Sequence, residues 1–186
     1  MTSTEDKIQV VYADSDTLSS YLNRGKFGFF ITVFEALGVE VIIPKIVMEE
    51  LCRGRYGKVR ESTLQQMIRT NRIVVREIEM GKPEADTYYE LSQNMGQGEA
   101  AALALAKNSN RRCVVASNNY KDVIEYAEEN DIELWPTTTI MMHAIDLKIM
   151  SMNQANDLWI HMKRDGLKLP DYEKFEDLYN EMKNEK

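Results

Sequence analysis

Cysteine, histidine and proline are scarce in this sequence, and each shortage excludes something. Two cysteines, Cys52 and Cys113, in 186 residues support neither a disulfide scaffold nor a thiolate zinc cluster. Both stand beside apolar neighbours, as small buried thiols do. The two histidines, His143 and His161, fall at no metal-ligand spacing, which argues against imidazole-rich zinc chemistry. Four prolines and nine glycines build no linker or low-complexity tract, so one domain is expected, with at most a helical appendage. No apolar run approaches the length of a membrane span, so no membrane partner is expected. The first ten residues lack the basic start and apolar stretch of a secretory leader, and a cytoplasmic chain is expected. Basic charge is short as well: 23 Lys and Arg face 30 Asp and Glu, for a net charge of −7 and a pI of about 5.0. That balance excludes broad, charge-driven nucleic-acid binding. A pocket of carboxylates awaiting a cation remains open, since the ion reverses the local sign.

What the chain does have is alternation. Short β-rich apolar runs are expected as strands at Gln9–Ala13, Val39–Ile43, Arg72–Ile78, Cys113–Ala116 and Ile132–Trp135. Segments of helical spacing lie between them. One runs from about Asp16 to Leu37, closed by Gly38 in a C′ position. Another follows Pro44 and breaks at Gly54 and Gly57, and a third covers Val59 to Thr70. After Pro83 come a helix to about Asn94, an alanine-rich helix from Glu99 to Lys107, and a helix from Asn119 to Glu129. From Thr137 onward everything reads helical, interrupted only by Gly166 and Pro170. Strands alternating with helices predict a three-layer α/β/α fold around a mostly parallel sheet. We expect a main domain over residues 1–150 and a helical extension over 151–186. Ligands of such sheets bind beyond the C-terminal strand ends.

Acids cluster at those ends. Strand one runs into Asp14, with Asp16 two residues on; the helix after strand two bears Glu49 and Glu50; the alanine-rich helix opens with Glu99; strand four leads to Asn118 and Asn119. Carboxylates gathered from separate strands repel one another unless a cation joins them, and such hard oxygen donors suit Mg²⁺ or Mn²⁺. A metal held this way ionises water and stabilises charge on a phosphoryl group, the chemistry of phosphodiester hydrolysis.

Asp14 after its strand, Ile43-Pro44-Lys45-Ile46-Val47-Met48-Glu49-Glu50-Leu51, and Gly96-Gln97-Gly98-Glu99 with the alanine run to Ala106 together resemble the PIN domain. The likeness is to the branch related to VapC-type toxins, known as DUF3368. It continues through Ile132–Ile140, Ala144–Lys148 and Asp165–Leu169, and so covers nearly the whole chain. Each motif alone is weak; all of them in order are fairly specific. The resemblance implies a metal-dependent endoribonuclease acting on RNA, commonly the toxin paired with an antitoxin protein. It assigns Asp14, Glu50 and Glu99 as metal-binding acids and leaves Glu49 as a solvated neighbour. The pattern departs at the fourth position, where relatives carry aspartate and this chain has Asn118 and Asn119. An amide offers oxygen but no negative charge, which weakens metal binding. Asp122, one turn on from Asn118, is a candidate to restore the charge. The alternative implied is a PIN domain that no longer cuts and binds RNA or a protein instead.

Other residues carry lesser expectations. Asp16 with Thr17 suits a helix cap, and Ser15 and Thr17 suit supporting hydrogen bonds. Arg53, Arg55, Lys58 and Arg60 form the clearest basic cluster, placed to grip substrate phosphates or to remain solvated. Leu158, Trp159, Met162, Phe175, Leu178, Tyr179 and Met182 recur at helical intervals, as for packing on the sheet or for docking a dimer mate or antitoxin. The methionines at 141, 142, 150, 152 and 162 suit core filling or partner contact. Asp14-Ser15-Asp16 also fits the start of a haloacid-dehalogenase-like phosphatase, but Leu18 stands where its threonine belongs and asparagines replace its later acidic pair. No Gly-x-Gly-x-x-Gly follows strand one, and Gly96-Gln97-Gly98 lies between helices, the wrong context for a dinucleotide.

Overall fold

A computed structural model describes residues 7–184, apart from the side chains of Tyr120 and Asp122. The reading of the extreme N-terminus as no leader, and Asp122 as a possible ligand, therefore lie outside the described residues. Five strands, β1 (Val10–Ala13), β2 (Glu40–Pro44), β3 (Val74–Arg76), β4 (Cys113–Ala116) and β5 (Glu133–Leu134), form one sheet in the order β3-β2-β1-β4-β5. Every pairing is parallel. Because β1 has β2 on one side and β4 on the other, the chain reverses its winding there, and the crevice above that point is the natural ligand site.

Alternation along the strands sends side chains to two cores. Val11, Ala13, Val41, Ile43, Val114 and Ala116 face one, and Val10, Tyr12, Ile42 and Val115 face the other. Helices cover both faces, so the strands are apolar on both sides, as parallel strands must be. The second face is covered by α6 (Gln97–Lys107) and α7 (Tyr120–Glu129), with α5 (Pro83–Leu91) beside them. Ala100, Ala102 and Ala106 of α6 are buried there, and their small size lets the helix lie close to the sheet.

The first face is covered by α1 (Ser15–Leu22), α2 (Phe27–Leu37), α3 (Lys45–Leu51), α4 (Gly57–Arg69) and the C-terminal helices α8 (Thr137–Asp146), α9 (Met152–Arg164) and α10 (Phe175–Asn184). The single helix expected from Asp16 to Leu37 is two. Gly25 has φ +63°, and the turn at residues 23–26 ends α1 before α2 begins, although the apolar spacing runs through both. Gly38 does close α2 in the left-handed conformation, with φ +69°. Strand three is shorter than expected, three residues rather than seven. Trp159, Met162 and Phe175 are fully buried in the first core, as are Met141 and, nearly so, Met142 and Met150. Packing on the body of the chain thus accounts for most of the C-terminal apolar stripe. Among the described residues no helix is long and apolar enough to cross a membrane.

Candidate functional site

The strand register sets the site. Ala13 pairs with Ala116, and the Asp14 amide donates to the Ala116 carbonyl at 3.0 Å, so Asp14 and Ser117 leave the sheet side by side. Asp14 is fully buried. It is also the N-cap of α1: its Oδ1 accepts from the Thr17 amide at 2.8 Å. The expectation that Asp16 caps this helix is thereby corrected. α1 begins at Ser15, one residue earlier than the spacing implied, so the cap position falls on Asp14 and the exposed Asp16 sits in the first turn.

Asp14 Oδ2 lies buried and accepts no hydrogen bond of normal geometry, although the Ser117 and Thr17 hydroxyls lie close enough to act on the carboxyl. Burial, the dominant influence, pushes its pKa from 3.8 up to about 7; the Ser117 and Thr17 hydroxyls and the Thr17 amide pull the other way, and Asp16 adds a small upward push. An acid so placed is only about half ionised near pH 7, and a neighbouring cation would favour its full ionisation.

The N-terminus of α6 closes on the same region. A Cβ at Gly98 would lie 2.8 Å from Glu50 Oε2, 3.1 Å from Val47 Cγ2 and 3.2 Å from Ser15 Oγ. Only glycine lets α6 approach α1 and α3 this closely, and the approach brings Glu50 and Ser15 to one place. Glu50 is half-buried, whereas its neighbour Glu49 is exposed. The Tyr88 phenol of α5 also faces this point; burial, then the nearby Glu50 charge, raises its pKa.

Glu99 is half-buried and hydrogen-bonded on both oxygens. Its Oε2 accepts from the Gly96 amide at 3.1 Å, and its Oε1 accepts from Asn119 Nδ2 at 2.7 Å. Asn118 Oδ1 accepts from the Thr137 amide at 2.9 Å, so this side chain serves the first turn of α8. Asn118 Nδ2 is buried without a hydrogen-bond partner, and the buried Tyr21 hydroxyl lies by that of Thr137, which partly offsets the upward push of burial on the Tyr21 pKa. Thr137, Ser117, Tyr21 and Tyr88 are polar members of this region that sequence reasoning missed. Each is an ordinary residue in an apolar or helical run, and only the packing reveals it.

Among the described residues, no three of His, Cys, Asp and Glu gather closely enough to form a metal site by themselves. The donors present still fit a hard cation in kind. Asp14 offers a buried oxygen that accepts no hydrogen bond of normal geometry, and Glu50 is held close by the glycine approach. Glu99 accepts one hydrogen bond on each oxygen, which orients its carboxylate and leaves a further lone pair on each.

A groove of about 990 Å³ opens beside the site, and its lining includes Asp16, Asn118, Asn119, Arg24, Arg60 and Lys168. Of the four basic residues singled out from the sequence, Arg60 lines this groove. Arg53, Arg55 and Lys58 are exposed on the loop and helix start alongside it.

A fully parallel five-stranded sheet, helices on both faces and acids at the switch point define a PIN-type α/β/α fold. The chain belongs to the DUF3368 PIN-domain family, whose model matches residues 14–181. It is similar in fold to a chain in the crystal structure of VapBC2 from Rickettsia felis bound to a DNA fragment from their promoter. That likeness spans 69% of this chain and 98% of the other, at 15% identity and a TM-score of 0.50. No functionally curated protein matches the chain.

Proposed function

We propose that this protein is a metal-dependent endoribonuclease that hydrolyses RNA phosphodiesters, acting as the toxin of a toxin–antitoxin pair. The observation that carries the reading is the Asp14 carboxylate, fully buried at the switch point of the sheet with one oxygen that accepts no hydrogen bond of normal geometry. Burying such a group costs stability, and a cation-binding role explains its retention. Asp14, Glu50 and Glu99 would hold the ion, with Asn118 and Asn119 supplying amide groups at its edge. A bound Mg²⁺ or Mn²⁺ supplies an ionised water and neutralises charge at the phosphorus. Family membership supports the nuclease class, and the likeness to a VapBC chain supports an antitoxin partner. A cytoplasmic setting agrees with two free thiols, Cys52 and Cys113. A homodimer is a further expectation of the same reading.

One observation favours the second reading, a PIN domain that binds RNA or a protein without cutting. Both oxygens of Glu99 and the amide oxygen of Asn118 each already accept a hydrogen bond within the chain. Cleavage of a mixed structured and single-stranded RNA pool in Mn²⁺ separates the two. The wild type should cut, Asp14→Asn should not, and Asn118→Asp should cut faster. A silent wild type that Asn118→Asp restores would establish the non-cutting reading instead.

A further inference from the structure

A second cleft, of about 520 Å³, opens between the start of α2, the turn from α8 to α9, and α9 itself. It shares only Arg24 and Asp165 with the groove beside the acid site, and the nuclease reading makes no use of it. Its volume is ordinary for a small-molecule site. The apolar part of its lining is Phe29, Ile149, Met150 and Leu158. The turn that presents Ile149 and Met150 is strained. Lys148 is left-handed at φ +58°, a conformation that a residue with a long side chain seldom adopts. The amides of Ile149 and Met150 both donate to the Ala144 carbonyl, at 2.9 and 3.2 Å, which fixes the two side chains at the cleft.

Charge is laid out unevenly around this apolar lining. Among the described residues, Lys26 is exposed and pairs with no carboxylate, whereas Arg24 is tied to Asp165 at 2.7 Å. Lys26 is also the N-cap residue of α2, and no side chain caps that helix. Its first-turn amides therefore add positive potential beside the Lys26 ammonium. Arg24 Nε is buried without a hydrogen-bond partner. From α9, Asp157 lines the cleft, exposed and likewise without an ion pair. An anionic head is thus drawn towards Lys26 and repelled by Asp157, while an apolar body covers Phe29, Ile149, Met150 and Leu158.

We propose that this cleft binds a small acyl carboxylate, with its head group at Lys26 and the first turn of α2 and its chain along the apolar lining. Ile149, Met150 and Leu158 suit a flexible chain better than a rigid ring, because methionine re-packs around an irregular guest. Burial of the chain supplies most of the affinity, and the exposed Lys26 selects the charged head. The proposal goes beyond the nuclease reading and does not depend on whether the acids of the switch point cut RNA.

The test is a titration of the isotope-labelled full chain with sodium octanoate, followed amide by amide in two-dimensional NMR spectra. Saturable shifts should gather at Lys26, Phe29, Ile149, Met150 and Leu158. Hexanoate should shift the same amides with an affinity lower by up to about fourfold for each methylene removed. Octanol, which keeps the chain and lacks the charge, should bind more weakly than octanoate. Lys26→Gln, a change at an exposed side chain, should weaken octanoate by about two- to fivefold and leave octanol unchanged. Asp157→Asn should tighten octanoate. The same spectra show that each variant is folded. Shifts that scatter over the surface or gather at Asn118 and Asn119 would overturn the proposal. So would octanol binding as tightly as octanoate, phenylpropionate binding more tightly than octanoate, or Lys26→Gln binding octanoate as the wild type does. Octanoate binding at the cleft of a protein that never cuts RNA would leave the proposal standing while the nuclease reading falls. RNA cutting by a protein with no octanoate site would do the reverse.

Discussion

Asp14→Asn should make the metal-free protein more stable, although it removes a residue at the heart of the site. The carboxylate is fully buried, and its pKa rises from 3.8 to about 7. A rise of that size corresponds to about 4 kcal/mol of penalty for holding the charged form in the folded state. Relaxation and water entry reduce such penalties in real interiors, so a measured gain of about 2 kcal/mol is expected. For a chain of this size that is about 4–8 °C in melting temperature. Asparagine keeps the cap, because its Oδ1 can still accept from the Thr17 amide. Its new amide hydrogens face the Ser117 and Thr17 hydroxyls, which already influence Asp14.

The pH dependence fixes the sign. The unfolded chain releases the Asp14 proton near 3.8, and the folded chain holds it to about 7. Between those values the folded state binds more protons, so this group's contribution makes stability fall as pH rises. The gain from Asp14→Asn should therefore be near zero at about pH 4, grow through the interval, and be complete above about pH 8. Thermal melts in EDTA across that range measure it. Millimolar Mn²⁺ should then invert the order by stabilising only the wild type, by about 2.7 kcal/mol at a hundredfold excess over Kd. A variant less stable than the wild type at pH 8, or a difference that ignores pH, would refute the argument from burial.

Gly98→Ala should displace Glu50, since the new methyl would lie 2.8 Å from Glu50 Oε2 and 3.1 Å from the buried Val47. We expect about 1–3 kcal/mol of destabilisation and loss of the Mn²⁺-induced rise in melting temperature, read by the same melts. Trp159→Ala should cost about 3–5 kcal/mol, because the indole is fully buried beside Phe175 and its Nε1 donates to the Tyr172 carbonyl at 3.0 Å. Denaturant unfolding should lose stability as a single transition, and a separate early transition for the C-terminal helices would count against one shared core. Glu35→Gln breaks the two-pronged contact with Arg72, which lowers the Glu35 pKa through hydrogen bonds and charge. The pair is largely exposed, so the loss should stay below about 1 kcal/mol. That contribution is present above the unfolded carboxylate pKa and fades as pH falls through the lower folded value, so wild type and variant should converge in acid.

The fold was legible because its signals are local. Apolar runs as short as Val10–Ala13 and Cys113–Ala116 read as buried strands, and the helical segments between them leave a parallel sheet as the natural arrangement. The errors lie where a local signal was absent or shared. Apolar spacing continues unbroken through α1 and α2, and only the left-handed Gly25 at residues 23–26 divides them. The strand expected over Arg72–Ile78 shrinks to Val74–Arg76 because β3 is an edge strand pairing only with β2, and pairing, not composition, sets its ends.

The site was legible as a set of residues but not as a geometry. Asp14, Glu50 and Glu99 stand out in sequence, yet nothing there shows that Glu99 accepts hydrogen bonds from Gly96 and Asn119. Asn118 is the clearest case. In the sequence it is a missing charge. In the structure its amide oxygen holds the Thr137 amide, and its Nδ2 is buried without a partner. An aspartate could make the same bond to Thr137, and it would remove the stranded donor. It would also place a second carboxylate near the buried Asp14, where desolvation already opposes one. Asparagine thus lowers the charge that the site must tolerate without a cation, and under the proposed nuclease reading it would leave one fewer anion for the metal.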